Sequence, residues 1–222
     1  MKVAVIQFPG SNCDRDTLQV LKDEIRLDAQ LIWHNDFTDS AFDAAIIPGG
    51  FTFGDHLRAG SIAAHSPATE TVRKMAYGGK PILGICNGFQ ILIEAGLLPG
   101  SLLRNSSLKF VCKWTNLQVT SNNTAFTCKF ENASKVRMPI AHNEGRFFAD
   151  ETLLDRLGEE GRIIMTYSGE NPTGTSRGIT AISNEEGNVV GMMPHPERAS
   201  DLALGGTDGL KVFESMVDWV RC

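Results

Sequence analysis

The strongest constraint in this 222-residue sequence is a repeated unit: a short apolar run, a break at glycine or proline, then a segment of helical periodicity. Lys2 to Phe8 is apolar and rich in β-branched residues and stops at Pro9-Gly10, the pattern of a buried strand. Ser11 or Asn12 is placed to cap a following helix whose Leu18, Leu21 and Ile25 share one face. Leu31-Ile32-Trp33 reads as a second strand, and Ala44 to Ile47 as a third, broken by Pro48-Gly49-Gly50. Ser66-Pro67 supplies a cap and a first-turn proline for a helix with Val72, Met75 and Ala76 inward, closed at Gly78-Gly79. Pro81 to Ile85 is a fourth strand, entering a helix from Asn87 to about Ala95 that stops at Gly96. Apolar strands alternating with helices through short loops predict an α/β fold: three layers, with a mostly parallel central sheet flanked by helices.

The texture changes between Ser101 and Ile140, where Phe126, Cys128 and Phe130 alternate as in a half-exposed strand. This stretch is expected to append antiparallel strands to the parallel sheet. Ile179 to Ser183 and Val189 to Met193 flank Glu185-Glu186-Gly187-Asn188 as a hairpin. A last helix, capped near Asp208, places Phe213, Met216, Val217 and Val220 at i, i+3, i+4 and i+7. With no repeat, low-complexity tract or linker, residues 1–222 are expected to form a single domain.

Composition narrows the function classes. A formal charge of −5 offers nothing to a phosphate backbone, which disfavours nucleic-acid binding. No run approaches the length of a membrane-spanning helix, and Val3 to Ile6 is too short for a signal core, so a cytoplasmic protein is expected. Five cysteines at 13, 86, 112, 128 and 222 then read as reduced thiols, and the absence of Cys-x-x-Cys argues against a zinc site.

Three places carry chemistry. In Gly84-Ile85-Cys86-Asn87-Gly88-Phe89-Gln90 the cysteine sits where a buried strand turns into a helix, with glycine at i−2 and i+2. That is the arrangement of a nucleophile elbow with sulfur in place of oxygen, and a helix N-terminus favours the thiolate. Cys13, Cys112, Cys128 and Cys222 have no such setting and read as packed or surface thiols. In Met193-Pro194-His195-Pro196-Glu197 the prolines favour extended backbone, so His195 and Glu197 are expected on the same side, as a proton carrier and its orienting carboxylate. Pro48-Gly49-Gly50-Phe51 ends a parallel strand, where backbone N–H groups of Gly49 and Gly50 can face a developing oxyanion. His142, in Ala141-His142-Asn143-Glu144-Gly145-Arg146, reads as part of a polar loop able to line a site, whereas His34, His56 and His65 read as decorating loops or helix ends. There is no G-x-G-x-x-G and no P-loop, so the chain carries no nucleotide motif of its own.

A Pro-Gly-Gly turn, then Gly-x-Cys-x-Gly-x-Gln, then His-Pro-Glu resembles the class I (triad) glutamine amidotransferases over nearly the whole chain. The stretches Gly50-Phe51-Thr52-Phe53-Gly54-Asp55-His56-Leu57-Arg58-Ala59-Gly60, His142-Asn143-Glu144-Gly145-Arg146-Phe147 and Gly191 to Ala199 are similar to those of the glutaminase subunits of phosphoribosylformylglycinamidine synthases. The resemblance implies a flavodoxin-like fold and a Cys86-His195-Glu197 triad that releases ammonia from glutamine through a Cys86 thioester. It also implies oxyanion or substrate contacts at Gly49, Gly50, Asn87, Gln90 and His142. The expected partners are a large synthetase subunit, which binds ATP and magnesium, and a small accessory subunit; no cofactor or metal is expected in this chain. Family members often carry tyrosine or serine where Thr52, Phe53 and His56 stand, and a small residue at Asn143. Those departures bear on the glutamine pocket or the partner contact.

Overall fold

The computed structural model describes residues 1–221. In chain order the elements are β1 (Lys2–Gln7), α1 (Asp14–Gln19), β2 (Asp28–Trp33), β3 (Ala44–Ile47), α2 (Ser61–Ala64), α3 (Pro67–Tyr77), β4 (Ile82–Ile85) and α4 (Asn87–Glu94). They continue with β5 (Ser101–Leu103), β6 (Val111–Val119), β7 (Lys135–His142), β8 (Arg146–Phe148), α5 (Glu151–Glu159), β9 (Ile163–Tyr167), β10 (Ile179–Ser183), β11 (Val189–Met192) and α6 (Leu210–Arg221). One nine-stranded sheet runs in the order β2-β1-β3-β4-β11-β10-β9-β6-β7, and β5 pairs with β8 in a separate ribbon.

The sheet has two halves. From β2 to β11 every neighbouring pair is parallel, and from β11 to β7 every pair is antiparallel. The parallel half has the flavodoxin-like order, in which ligands bind outside the carboxyl ends of the strands. β3, β4 and β11 are buried at every position, as strands covered on both faces must be. The fully buried Phe8, Phe89, Phe126, Phe147 and Phe213 are among the largest side chains of the core.

Local signals explain most elements. Ser66 caps α3 by accepting the Thr69 N–H at 3.3 Å, with Pro67 in the first turn. β10 and β11 form the expected hairpin, with Ser183 opposite Val190. Four readings are corrected. The residue before α1 is Cys13, with no side-chain cap, because Ser11 Oγ instead accepts the Phe8 N–H at 3.0 Å. Phe126, Cys128 and Phe130 lie in a turn, not a strand: Cys128 N–H bonds back to Thr124 O, so Phe126 and Phe130, four apart, both face inward. The Asp208 carboxylate accepts the Arg137 N–H of β7 at 2.7 Å instead of capping α6. Along α6, Phe213 and Met216 are buried but Val220 is exposed. Helix α5, unassigned from sequence, is capped by Asp150, which accepts the Leu153 N–H at 2.8 Å.

Cys13, Cys86 and Cys112 are free thiols, the Cys128 thiol donates to Ser215 O at 3.3 Å, and Cys222 lies outside the described residues. Among the described residues no helix is long and apolar enough to cross a membrane.

Gly191 of β11 faces Phe89 of α4 so closely that a Cβ there would lie 2.0 Å from Phe89 Cδ2. Gly191→Ala is therefore expected to destabilise the fold by about 1–3 kcal/mol through overpacking. A lowered urea midpoint with an unchanged m-value would show it.

Candidate active site

Cys86 leaves β4 with φ 50° and ψ −103°, a conformation that β-carbon sterics disfavour outside glycine, and immediately precedes α4. Two glycines permit the turn. A Cβ at Gly84 would lie 2.6 Å from the Gly88 backbone and from Leu92, and one at Gly88 would overlap the Ile47 carbonyl of β3. The Cys86 N–H bonds to Met192 O at 2.7 Å, fixing the turn to the end of β11. Its sulfur lies 3.7 Å from Ala141 O, and the residue immediately precedes the first turn of α4, whose N-terminal dipole favours a negative charge.

β11 delivers the second half of the site. His195 and Glu197 are 2% and 1% exposed, and His195 Nδ1 meets Glu197 Oε1 at 2.6 Å. The extended geometry expected for both residues holds only for His195. Pro196–Arg198 form a 3₁₀ turn, and that turn brings the Glu197 carboxylate back to the imidazole. The His195 N–H bonds to Pro139 O at 2.9 Å, anchoring the segment to β7. Burial pulls the imidazole pKa down, but Glu197 and then Cys86 outweigh it and hold His195 well above its ordinary value. Cys86 and His195 are thus electrostatically coupled, although no hydrogen bond joins them and His195 Nε2 has no partner among the described residues. The arrangement suits proton transfer between a thiol and an imidazole that later protonates a leaving group.

A cleft of about 50 Å³ opens on Cys86, lined by Gly50, Phe51, Asp55, Gln90, Ala141, His142, Asn143 and Glu144. A larger cavity of about 580 Å³ lies on the other side of His195 and Glu197, against Asp16, Trp114 and Arg198, and does not reach Cys86.

The remaining expected residues divide. Gly50 and Gln90 line the cleft; Gly49 does not. A Cβ at Gly49 would press on His195 Cε1 at 2.8 Å, so this glycine makes room for the imidazole. The Asn87 side chain is fully buried as scaffold, accepting the Thr52 N–H at 3.1 Å and donating to Gln90 Oε1 at 2.8 Å. Gln90 in turn donates to Glu144 O at 2.7 Å. His142 ends strand β7 and is not in a loop; it is buried beside Asn105, with Nδ1 3.2 Å from its Oδ1. Burial, then the charge of His195, pushes its pKa down to about 3, so it stays neutral. His34 is packed against Phe8 at 5.1 Å between ring centroids, not a loop ornament. Of the departures from the family pattern, Asn143 lines the cleft, Thr52 and Phe53 are packed behind it, and His56 is exposed.

Cys13 is the main residue that sequence reasoning passed over. Its sulfur, a His195 nitrogen and a Glu197 oxygen lie within 4.8 Å of one another. These three groups are near enough to share a metal ion, yet His195 and Glu197 already bond each other and the Arg198 guanidinium donates to Cys13 Sγ at 3.1 Å. A cation there would meet a resident positive charge. Burial raises the Cys13 pKa, keeping it a thiol behind the imidazole. No motif marks Cys13; only the return of the chain from β11 brings it to the site.

A thiol on a strained strand-to-helix turn, beside a buried imidazole–carboxylate pair at the carboxyl end of a parallel sheet, defines the class of cysteine-nucleophile acyl-transfer enzymes. Residues 1–220 match the CobB/CobQ-like glutamine amidotransferase domain, and the chain belongs to that family. A phosphoribosylformylglycinamidine synthase subunit PurQ from Methanosarcina acetivorans is 50% identical, over 99% of this chain and 98% of its own. The structure of PurLQS from Thermotoga maritima contains a chain of 43% identity and TM-score 0.90, covering 99% of this chain and 98% of that one. A glutamine amidotransferase from Thermotoga maritima, 15% identical with TM-score 0.61 and covering 99% and 97%, shares the fold.

Glu197→Gln is expected to lower the turnover of an amide substrate by about 10²–10⁴-fold. Without the carboxylate, burial dominates and the His195 pKa falls. The imidazolium is then lost at lower pH, so the alkaline limb of the rate–pH profile moves toward neutrality. An alkaline limb that stays in place would show that Glu197 does not hold the proton on His195.

Proposed function

We propose that this chain is the glutaminase subunit of a phosphoribosylformylglycinamidine synthase, acting as one domain over residues 1–222 in the cytoplasm. The observation that carries the reading is the Cys86 elbow facing a buried His195–Glu197 pair, in a chain that matches PurQ along its full length. Cys86 Sγ attacks the side-chain amide carbon of glutamine while its proton passes to His195. Backbone N–H groups at Gly50 and Asn87 receive the negative charge on the carbonyl oxygen. His195 then protonates the departing nitrogen, ammonia leaves, and a γ-glutamyl thioester remains on Cys86. Water, deprotonated by His195, hydrolyses the thioester to glutamate and restores the thiol. Glu197 orients the imidazole throughout and stabilises its charged form.

The ammonia serves a large synthetase subunit, with a small accessory subunit completing the assembly. ATP and magnesium act there, where formylglycinamide ribonucleotide is amidated in purine biosynthesis. Nothing in this chain resembles a nucleotide site, which supports that division of labour.

In the assembled complex, Cys86→Ser is expected to lose glutamine-dependent amidation by about 10³-fold or more while keeping amidation driven by added ammonium salt. Loss of both activities would show that Cys86 serves assembly instead of ammonia release. In the wild-type chain, a single adduct from an electrophilic glutamine analogue is expected on Cys86, suppressed by excess glutamine, and peptide mapping reads it.

A further inference from the structure

The turn that carries Glu197 ends in a side chain that the chemistry at sulfur does not use. Arg198 is the last residue of the 3₁₀ turn Pro196–Arg198, and its half-buried side chain reaches across to the start of α1. There Nη2 donates to Cys13 Sγ at 3.1 Å, and Nε stands 3.5 Å from the Asp16 carboxylate. Cys13 is fastened by its other groups as well. Its N–H and that of Asn12 both bond to Gly49 O, at 3.1 and 3.2 Å, and its thiol donates to Asn12 Oδ1 at 3.1 Å. With Arg198 donating to the sulfur and Asn12 accepting from it, the thiol is engaged both as acceptor and as donor.

That engagement matters because of what lies beside the sulfur. Cys13 Sγ, a His195 nitrogen and a Glu197 oxygen fall within 4.8 Å of one another. A Cβ at Gly49 would stand 2.8 Å from His195 Cε1 and 3.1 Å from Cys13 Sγ, so one glycine meets both groups. Glu197 Oε1 is bonded to His195 Nδ1, whereas Glu197 Oε2 is buried with no hydrogen-bond partner among the described residues. A buried carboxylate oxygen in that state is a strong acceptor for any donor that can turn toward it. The Cys13 thiol, once released, is such a donor. Its bond to Glu197 would draw the carboxylate away from the imidazole it orients.

We propose that Arg198 is a positioning residue of the Cys86 site: by holding the Cys13 sulfur it keeps that thiol off the Glu197 carboxylate and leaves the carboxylate to His195 alone. The inference rests on the glutamine reading above for its activity readout. Asp16 supplies the counter-charge to the guanidinium, so Arg198 acts on the pair through where it holds the sulfur. The arrangement also gives Cys13 a role that needs no reactivity. It is a neutral thiol whose two hydrogen bonds point its chemistry away from the imidazole.

The test compares wild type, Arg198→Met, Arg198→Lys, Cys13→Ala and the Arg198→Met/Cys13→Ala double variant in the assembled complex. Glutamine-dependent turnover is read as kcat and KM, and amidation driven by added ammonium salt reports assembly. Arg198→Met is expected to lower kcat about tenfold with KM held within about twofold. Removing the competing thiol as well is expected to restore kcat to within about threefold of wild type, although two contacts are then lost instead of one. Cys13→Ala alone, and Arg198→Lys, which keeps a charged donor, are expected to stay within about threefold. The proposal is overturned if the double variant is no better than Arg198→Met, because Arg198 then acts by its charge or on the fold. A fall in ammonium-driven amidation that matches the fall with glutamine overturns it too, as the mark of a docking residue. If the wild-type complex shows no glutamine-dependent turnover, it is the glutamine reading that fails. The rate of Cys86 alkylation by iodoacetamide, read by peptide mapping across the same five chains, then decides on Arg198, with the same loss and restoration expected.

Discussion

The close approach of α4 to the ends of β3 and β4 is the constraint on which the rest of the site depends. It exists because Gly84 and Gly88 have no β-carbons: one would strike α4 and the other the Ile47 carbonyl. With the helix seated close on the sheet, Cys86 takes a positive φ at the junction of β4 and α4. Every other group is placed by reference to the Cys86 sulfur. The Met192 carbonyl sets the end of β11 beside it, and Asn87 and Gln90 carry its position outward to the loops at Thr52 and Glu144.

The electrostatics are a division of charge between two sides of the same sulfur. Glu197 raises the proton affinity of His195 despite nearly complete burial, with the neutral Cys13 thiol close to the pair. A second cation in the same interior would be unfavourable, and His142 accordingly stays neutral. Asp55 and Glu144 line the cleft that opens on Cys86. Gly49 belongs to the rear of this arrangement: its missing side chain is the room that the imidazole occupies.

Much of this was legible along the chain. Strand–turn–helix units announce themselves through local chemistry, so β1, β3, β4, α3 and α4 emerge from apolar runs punctuated by glycine and proline. The elbow is readable because its glycines lie four apart in sequence, and His195 with Glu197 because only Pro196 separates them. Local pattern misled where side chains had distant work. Asp208 has the look of a cap but serves β7, and Phe126 and Phe130 alternate like a strand while packing as a turn. The Pro-His-Pro-Glu segment pointed to the right pair through the wrong geometry, since a 3₁₀ turn and not extension joins them.

The sequence by itself determined the alternation of strands and helices, the Cys86 turn and the pairing of His195 with Glu197, because each rests on steric rules acting within a few residues. Tertiary structure alone decided that Cys13 lies beside His195 and Glu197, that Gly49 leaves room for the imidazole, and that Asp55 and Glu144 line one cleft with Cys86. Those relations join residues as far as 182 positions apart, the separation of His195 from Cys13. Burial, charge and hydrogen bonding at such separations depend on which strands lie side by side, and strand order is a property of the folded sheet, not of any segment of the chain.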